Sequence, residues 1–319
     1  MLLALVVTGC AGRADAPGVM AAGPAPVGGA PDAAPAPLAV DERDVDVGQG
    51  MTLHVRTVGA TASRRTIVLL HGGPGFSHHY MQALERLAGP DVRVVNFDQR
   101  GAGASRQPAD DRYDLAAYVS DLEGLRTALG ADRLDVVGHS WGGLVAMAYA
   151  VAQPTRVRSL VLVDSVPPRQ GDFILGGLVL GERHRALVKQ GIVTKVLPPS
   201  DGDDCRPQLL ALLPVYFADP AHPAAHDLAG STCSLHARNE TWFALGEFDL
   251  RPGVATLAMP VLVVQGEGSP FGRAMHRAVV AAFAPGIVTE VTLPACGHVP
   301  WAECAAPFDA ALDAFLGAH

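Results

Sequence analysis

From Asp41 onward the chain moves between two hydrophobic rhythms. Residues 43–47 and 51–58 alternate apolar and polar side chains around Gly48-Gln49-Gly50, the pattern of a hairpin with one buried face. Short runs rich in β-branched residues follow at 66–70, 92–97, 134–137, 160–163, 261–264 and 287–293. Strands apolar on both faces belong to a parallel sheet with helices on each side. Helical periodicity fills the intervals at 79–87, 115–129, 144–152, 274–283 and 308–316. The alternation predicts an α/β fold with a mostly parallel sheet flanked by helices, built from residues 41–166 and 260–319.

The rhythm breaks at 167–259, where proline pairs, Gly176-Gly177 and short amphipathic pieces replace the strands. So long a stretch is not a loop in a compact domain, and it predicts an inserted, mainly helical cap. No internal repeat is evident.

Composition then narrows the function classes. The 319 residues are 49% hydrophobic and 18% charged, with a formal net charge of -8. That balance excludes a disordered chain, and the lack of a basic face excludes a nucleic-acid partner. No apolar run approaches the roughly 20 residues a membrane-spanning helix needs.

The first forty residues read differently. Residues 1–10 form a short apolar run ending in Val7-Thr8-Gly9-Cys10, which resembles the lipobox of bacterial lipoproteins, although no Lys or Arg precedes it. The resemblance implies signal cleavage, lipidation of Cys10 and an exported protein anchored to a membrane of the bacterial cell envelope. Residues 11–40, with Pro17, Pro24, Pro26, Pro31, Pro35 and Pro37 among Ala and Gly, read as an extended tether. Export leaves Cys205, Cys233, Cys296 and Cys304 in an oxidising compartment. Three pairings are possible; Cys205–Cys233 and Cys296–Cys304 are nearest in sequence, and four free thiols are the alternative.

The strand at 134–137 runs into Gly138-His139-Ser140-Trp141-Gly142-Gly143 and then an apolar helix. A G-x-S-x-G at a strand-to-helix turn lifts the serine hydroxyl above the sheet, so Ser140 is the candidate nucleophile. The strand at 66–70 ends in His71-Gly72-Gly73-Pro74-Gly75, a turn able to aim a backbone N–H at a developing oxyanion. The expected donors are the amides of Gly73 and Trp141. After the last strand, Cys296-Gly297-His298 supplies His298 as the candidate general base.

HGGPGFSHHY at 71–80, DQRGAGAS at 98–105 and GHSWGG at 138–143 together resemble the α/β-hydrolase fold and, more narrowly, the proline iminopeptidase (prolyl aminopeptidase) family of serine peptidases. The resemblance implies removal of an N-terminal residue such as proline, or hydrolysis of a small peptide or related amino-acid amide or ester. Arg238-Asn239-Glu240-Thr241-Trp242-Phe243 is similar to the family's Asn-Glu-aromatic segment, which implies that Glu240 holds the substrate amine while Trp242 and Phe243 wall an apolar pocket.

The family's acid is missing, because Ser269 stands where its members carry aspartate. Asp164, ending the strand at 160–163, is the expected substitute, and Glu267 the poorer one. His222 and His226 are separated by Pro223, Cys233-Ser234-Leu235-His236 is no better, and Gly101 and Gly103 lack a P-loop lysine. No metal or cofactor is expected. Asp98 and Arg100 read as braces beneath the site. Two competing functions remain open: a carboxylesterase with the same machinery but no demand for a free amine, and a binding lipoprotein that has lost its acid.

Overall fold

The computed structural model describes residues 38–226 and 230–319. The signal-like segment, Cys10 and the tether as far as Pro37 lie outside these residues. Eight strands form one sheet: β1 Val40–Gly48, β2 Met51–Val58, β3 Arg65–Leu70, β4 Val92–Phe97, β5 Leu134–His139, β6 Val157–Val163, β7 Val261–Gly266 and β8 Val288–Leu293. Their order is β1-β2-β4-β3-β5-β6-β7-β8. The hairpin β1-β2 pairs antiparallel to β4, and every other pairing is parallel. The turn residues Gly48, Gln49 and Gly50 all adopt positive φ, as a tight hairpin turn requires.

Nine helices accompany the sheet among the described residues: α1 Leu115–Ala128, α2 Trp141–Ala152, α3 Gln170–Lys189, α4 Arg206–Leu212, α5 Leu235–Leu245, α6 Arg251–Val254, α7 Gly272–Ala281, α8 Pro300–Glu303 and α9 Ala305–Ala318. Strand alternation sorts the core into two layers. Val68, Leu70, Val136, Leu160 and Leu162 pack with α1 and α2, whereas Ile67, Leu69, Val137, Val161 and Val163 pack with α9. Each such fully buried side chain contributes about 1.5–3 kcal/mol relative to exposure.

Two expectations change in detail. The segment expected as helix at 79–87 is a 3-10 helix, His78–Leu87. Its buried residues His78, Met81 and Leu84 recur every third position, which suits three residues per turn better than 3.6. The last strand is not buried on both faces: β8 is an edge strand with only Leu293 fully buried. The described residues of the insertion at 167–259 are mainly helical, with α3 to α6 and two further 3-10 turns, and take part in isolated bridges only. No described helix is long and apolar enough to cross a membrane.

Candidate active site

The site lies where β5, β6 and β7 end and the cap begins. Ser140 joins β5 to α2 at φ 54 and ψ -119, a left-handed backbone that a side-chain-bearing residue holds only where its surroundings enforce it. They do: the Ser140 N–H donates to the Val163 carbonyl (3.0 Å), and its own carbonyl accepts from Gly143 and Val166 (3.0 Å each). The flanking glycines are a steric necessity. A Cβ on Gly142 would lie 2.1 Å from the Leu70 carbonyl oxygen, and one on Gly138 would lie 2.5 Å from the Gly142 carbonyl oxygen.

Asp164 follows β6, also at positive φ (45), and is buried. Its Oδ1 accepts from the Ser269 hydroxyl at 2.8 Å. Its Oδ2 lies 3.5 Å from His298 Nδ1, and neither of these two buried atoms has a hydrogen-bond partner. The residue in the usual acid's place therefore steadies the carboxylate that faces the imidazole. Glu267 is half-exposed and pairs with Arg273 instead.

Three independent ties hold the loop of His298. Its N–H donates to the Tyr216 carbonyl of the cap (2.7 Å). A disulfide joins Cys296 to Cys304, with Cα atoms 5.8 Å apart. The Glu303 carboxylate accepts from Gly297 and from the Ala218 and Asp219 amides at 3.2 and 2.8 Å. The second disulfide, Cys205–Cys233, lies within the cap. Both are the pairings nearest in sequence.

The fourth tie runs through His139. The Tyr80 hydroxyl accepts from the Gly72 N–H and donates to His139 Nδ1 (2.8 Å), while His139 Nε2–H donates to the His298 carbonyl (2.8 Å). Burial, reinforced by the neighbouring His298, holds the His139 pKa well below its ordinary value, so the ring stays neutral in one tautomer. Gln99 does similar work beneath: its amide donates to the His71 carbonyl (2.7 Å) and accepts from the Trp141 indole (3.0 Å). Sequence reasoning missed Tyr80, Gln99 and His139. All three lie inside the quoted motifs, but their partners are distant in sequence.

The turn at 71–75 abuts the serine: a Cβ on Gly72 would come 3.0 Å from Ser140 Cβ. Among the described residues no acceptor takes the Gly73 or Trp141 N–H. Asp98 and Arg100 brace this region. Asp98 accepts from the backbone and ring of His78 (2.8 Å each), and Arg100 forms a two-pronged pair with Asp121.

A cavity of about 680 Å³ opens over Ser140 and His298. Gly73, Tyr80, Phe76, Phe271, Trp242 and Trp301 line it, together with the cap leucines Leu180, Leu197, Leu209, Leu212 and Leu213.

The family model described as alpha/beta hydrolase fold matches residues 65–231. The chain belongs to that family. Curated relatives include the proline iminopeptidase of Lactobacillus delbrueckii subsp. lactis, 38% identical over 134 residues, which are 40% of this chain and 45% of that protein. The proline iminopeptidase of Clostridium botulinum is 36% identical over 36% of this chain and 40% of its own length. The chain thus matches less than half the length of these relatives. Among solved structures, a proline iminopeptidase-related protein from Thermus thermophilus superposes with a TM-score of 0.68 at 23% identity, covering 88% of this chain and 98% of the other. An esterase from Exiguobacterium antarcticum does so at 0.66 and 20% identity, covering 86% and 98%. At such identities the structures share the hydrolase fold.

Within this hydrolase fold, α5 decides what the cap presents to the cavity. Ser234 caps it by accepting from the Ala237 N–H (3.1 Å), and Ala237 and Thr241, one turn apart, face the core. Arg238 and Trp242, also one turn apart, line the cavity, with Trp242 stacked on Phe173 at 5.2 Å between ring centres. Neither Glu240 nor Phe243 lines it, and Phe243, one residue on from Trp242 and so rotated about 100° around the helix, is exposed. Glu240 lies one turn from His236, whose pKa is raised chiefly by its hydrogen bond to Asp111 (2.8 Å), with the Glu240 charge adding to the effect. Among the described residues no carboxylate lines the cavity.

Proposed function

We propose that the protein is a serine hydrolase that cleaves a carboxylic ester or amide with an apolar body through an acyl-enzyme. Ser140 attacks the carbonyl carbon as its hydroxyl proton passes to His298, and Asp164 stabilises the resulting imidazolium. The Gly73 and Trp141 amides receive the oxyanion. Collapse expels the leaving group, which takes the proton from His298. Water then attacks the acyl-enzyme, gives a proton to His298, and Ser140 leaves with that proton restored.

The observation that carries this reading is the Ser269–Asp164–His298 arrangement beside a serine held at a strained strand-to-helix turn. The absence of a carboxylate from the described cavity wall favours substrates without a free amine. A second reading, aminopeptidase action on an N-terminal proline with Glu240 holding the amine, draws on the sequence likeness to proline iminopeptidases. A chromogenic proline amide and its N-blocked form separate them. Equal or better cleavage of the blocked form is expected, and strict dependence on the free amine would restore Glu240 to the site.

Export and lipid anchoring at Cys10 complete the proposal. Two disulfides support it, since such bonds persist chiefly in oxidising compartments.

A further inference from the structure

We infer that the substrate carries a carboxylate besides its scissile bond, and that Arg238 binds it. Resting on the hydrolase reading, this narrows the substrate class to apolar esters or amides with a second, anionic end.

Arg238 is the one arginine or lysine among the described residues of the cavity wall, and its backbone packs against the oxyanion turn. Its helix packs on the oxyanion turn at Gly75, which adopts φ +84. A Cβ there would meet the Ser234 carbonyl at 2.5 Å, the Arg238 N at 3.0 Å and the Arg238 Cβ at 3.1 Å. Only glycine lets the two segments approach so closely, so the root of the Arg238 side chain is held against the turn that carries Gly73.

The guanidinium is half-buried and, among the described residues, lacks an anionic partner. Among the described residues it forms no ion pair; its side-chain hydrogen bonds go to Gln208 Oε1 at 3.3 Å and the adjacent Asn239 Oδ1 at 3.5 Å. Withdrawal from water lowers its pKa, the direction expected of a cation held without a counter-charge. Arg183, another partly buried cap arginine, instead donates to the Val215 and Phe217 carbonyls, and Arg169 pairs with Asp172. The described cavity wall therefore offers an unpaired planar cation among aromatic and aliphatic side chains, a site that suits a carboxylate on an apolar body. An ammonium group placed there would meet like charge, with no carboxylate on the described cavity wall.

The carboxylate could belong to the acyl part or to the leaving group, and two substrate pairs distinguish these. The first is para-nitrophenyl hydrogen adipate against its methyl ester, and the second is meta-butyryloxybenzoate against its methyl ester. The charged-to-neutral ratio of kcat/KM is measured for the full-length protein, Arg238→Gln and Arg238→Lys, with Ser140 labelling by a fluorophosphonate as the folding check. The expected ratio is about tenfold or more in one pair, falling to about one in Arg238→Gln and partly kept in Arg238→Lys. Ratios of one or below in both pairs, or a ratio unchanged in Arg238→Gln, would overturn the inference. Should no ester be cleaved, calorimetry with phenylbutyrate and phenylbutyramide still decides. Tighter binding of the acid, lost in Arg238→Gln, supports the anion site while the hydrolase reading fails; equal binding of the two sinks the anion site itself.

Discussion

The Ser269 hydroxyl donates to Asp164 Oδ1 at 2.8 Å, and the other oxygen of the same carboxylate faces His298 Nδ1 at 3.5 Å. Ser269, where the resemblance leads one to expect an acid, orients an acid supplied by the end of the neighbouring strand. Asp164→Asn should therefore lower kcat on a para-nitrophenyl ester by about 10³–10⁴. Ser269→Ala, which leaves the charge in place, should cost only about tenfold or less. Asp164→Asn activity within twofold of the parent would remove Asp164 from its assigned role.

The Tyr80–His139 chain links the glycine turn, the serine's strand and the histidine loop. Tyr80→Phe leaves the Gly72 amide and His139 Nδ1 without their shared partner. Urea unfolding should show a loss of about 1–3 kcal/mol. His139→Leu should lose a comparable amount and also slow turnover, because it frees the His298 carbonyl.

Two buried imidazoles set a pH dependence of stability. Burial lowers His71 from 6.5 to about 4, and His139 shifts in the same direction. Below pH 6.5 the unfolded chain binds protons that the folded chain refuses, so stability falls as pH falls, until the folded His71 also titrates near 4. The His71 share amounts to roughly 3 kcal/mol. Unfolding midpoints measured from pH 7 to pH 4 should decline; a flat profile would contradict the burial of these rings.

Gly142 has no room for a methyl group, and the obstacle is the Leu70 backbone rather than a side chain that can swing away. Gly142→Ala should destabilise by about 2–4 kcal/mol and abolish fluorophosphonate labelling of Ser140. Near-normal labelling would mean that the turn can open without loss of the reactive geometry.

Anchoring at Cys10 predicts incorporation of labelled palmitate when the full chain is expressed in a bacterium with lipoprotein processing. Cys10→Ser should abolish the label and move the protein from the membrane fraction to the soluble one. A protein recovered from the cytosol with no label would end the export proposal.

Much of this molecule is written locally. The period-two and period-3.6 patterns, the glycines around Ser140 and the His298 motif after the last strand each depend on near neighbours in sequence, so the strand–helix core and the serine turn were legible before folding was considered. Which carboxylate meets His298 was decided by strand order: β6 lies beside β7, and only that adjacency lets Ser269 and Asp164 touch. The cap was decided by helical rotation. Glu240 and Arg238 are two residues apart on α5, and at about 100° per residue they point in widely different directions. Tertiary packing turned the arginine into the cavity and the glutamate away from its wall, a choice that the local segment carries no information to make.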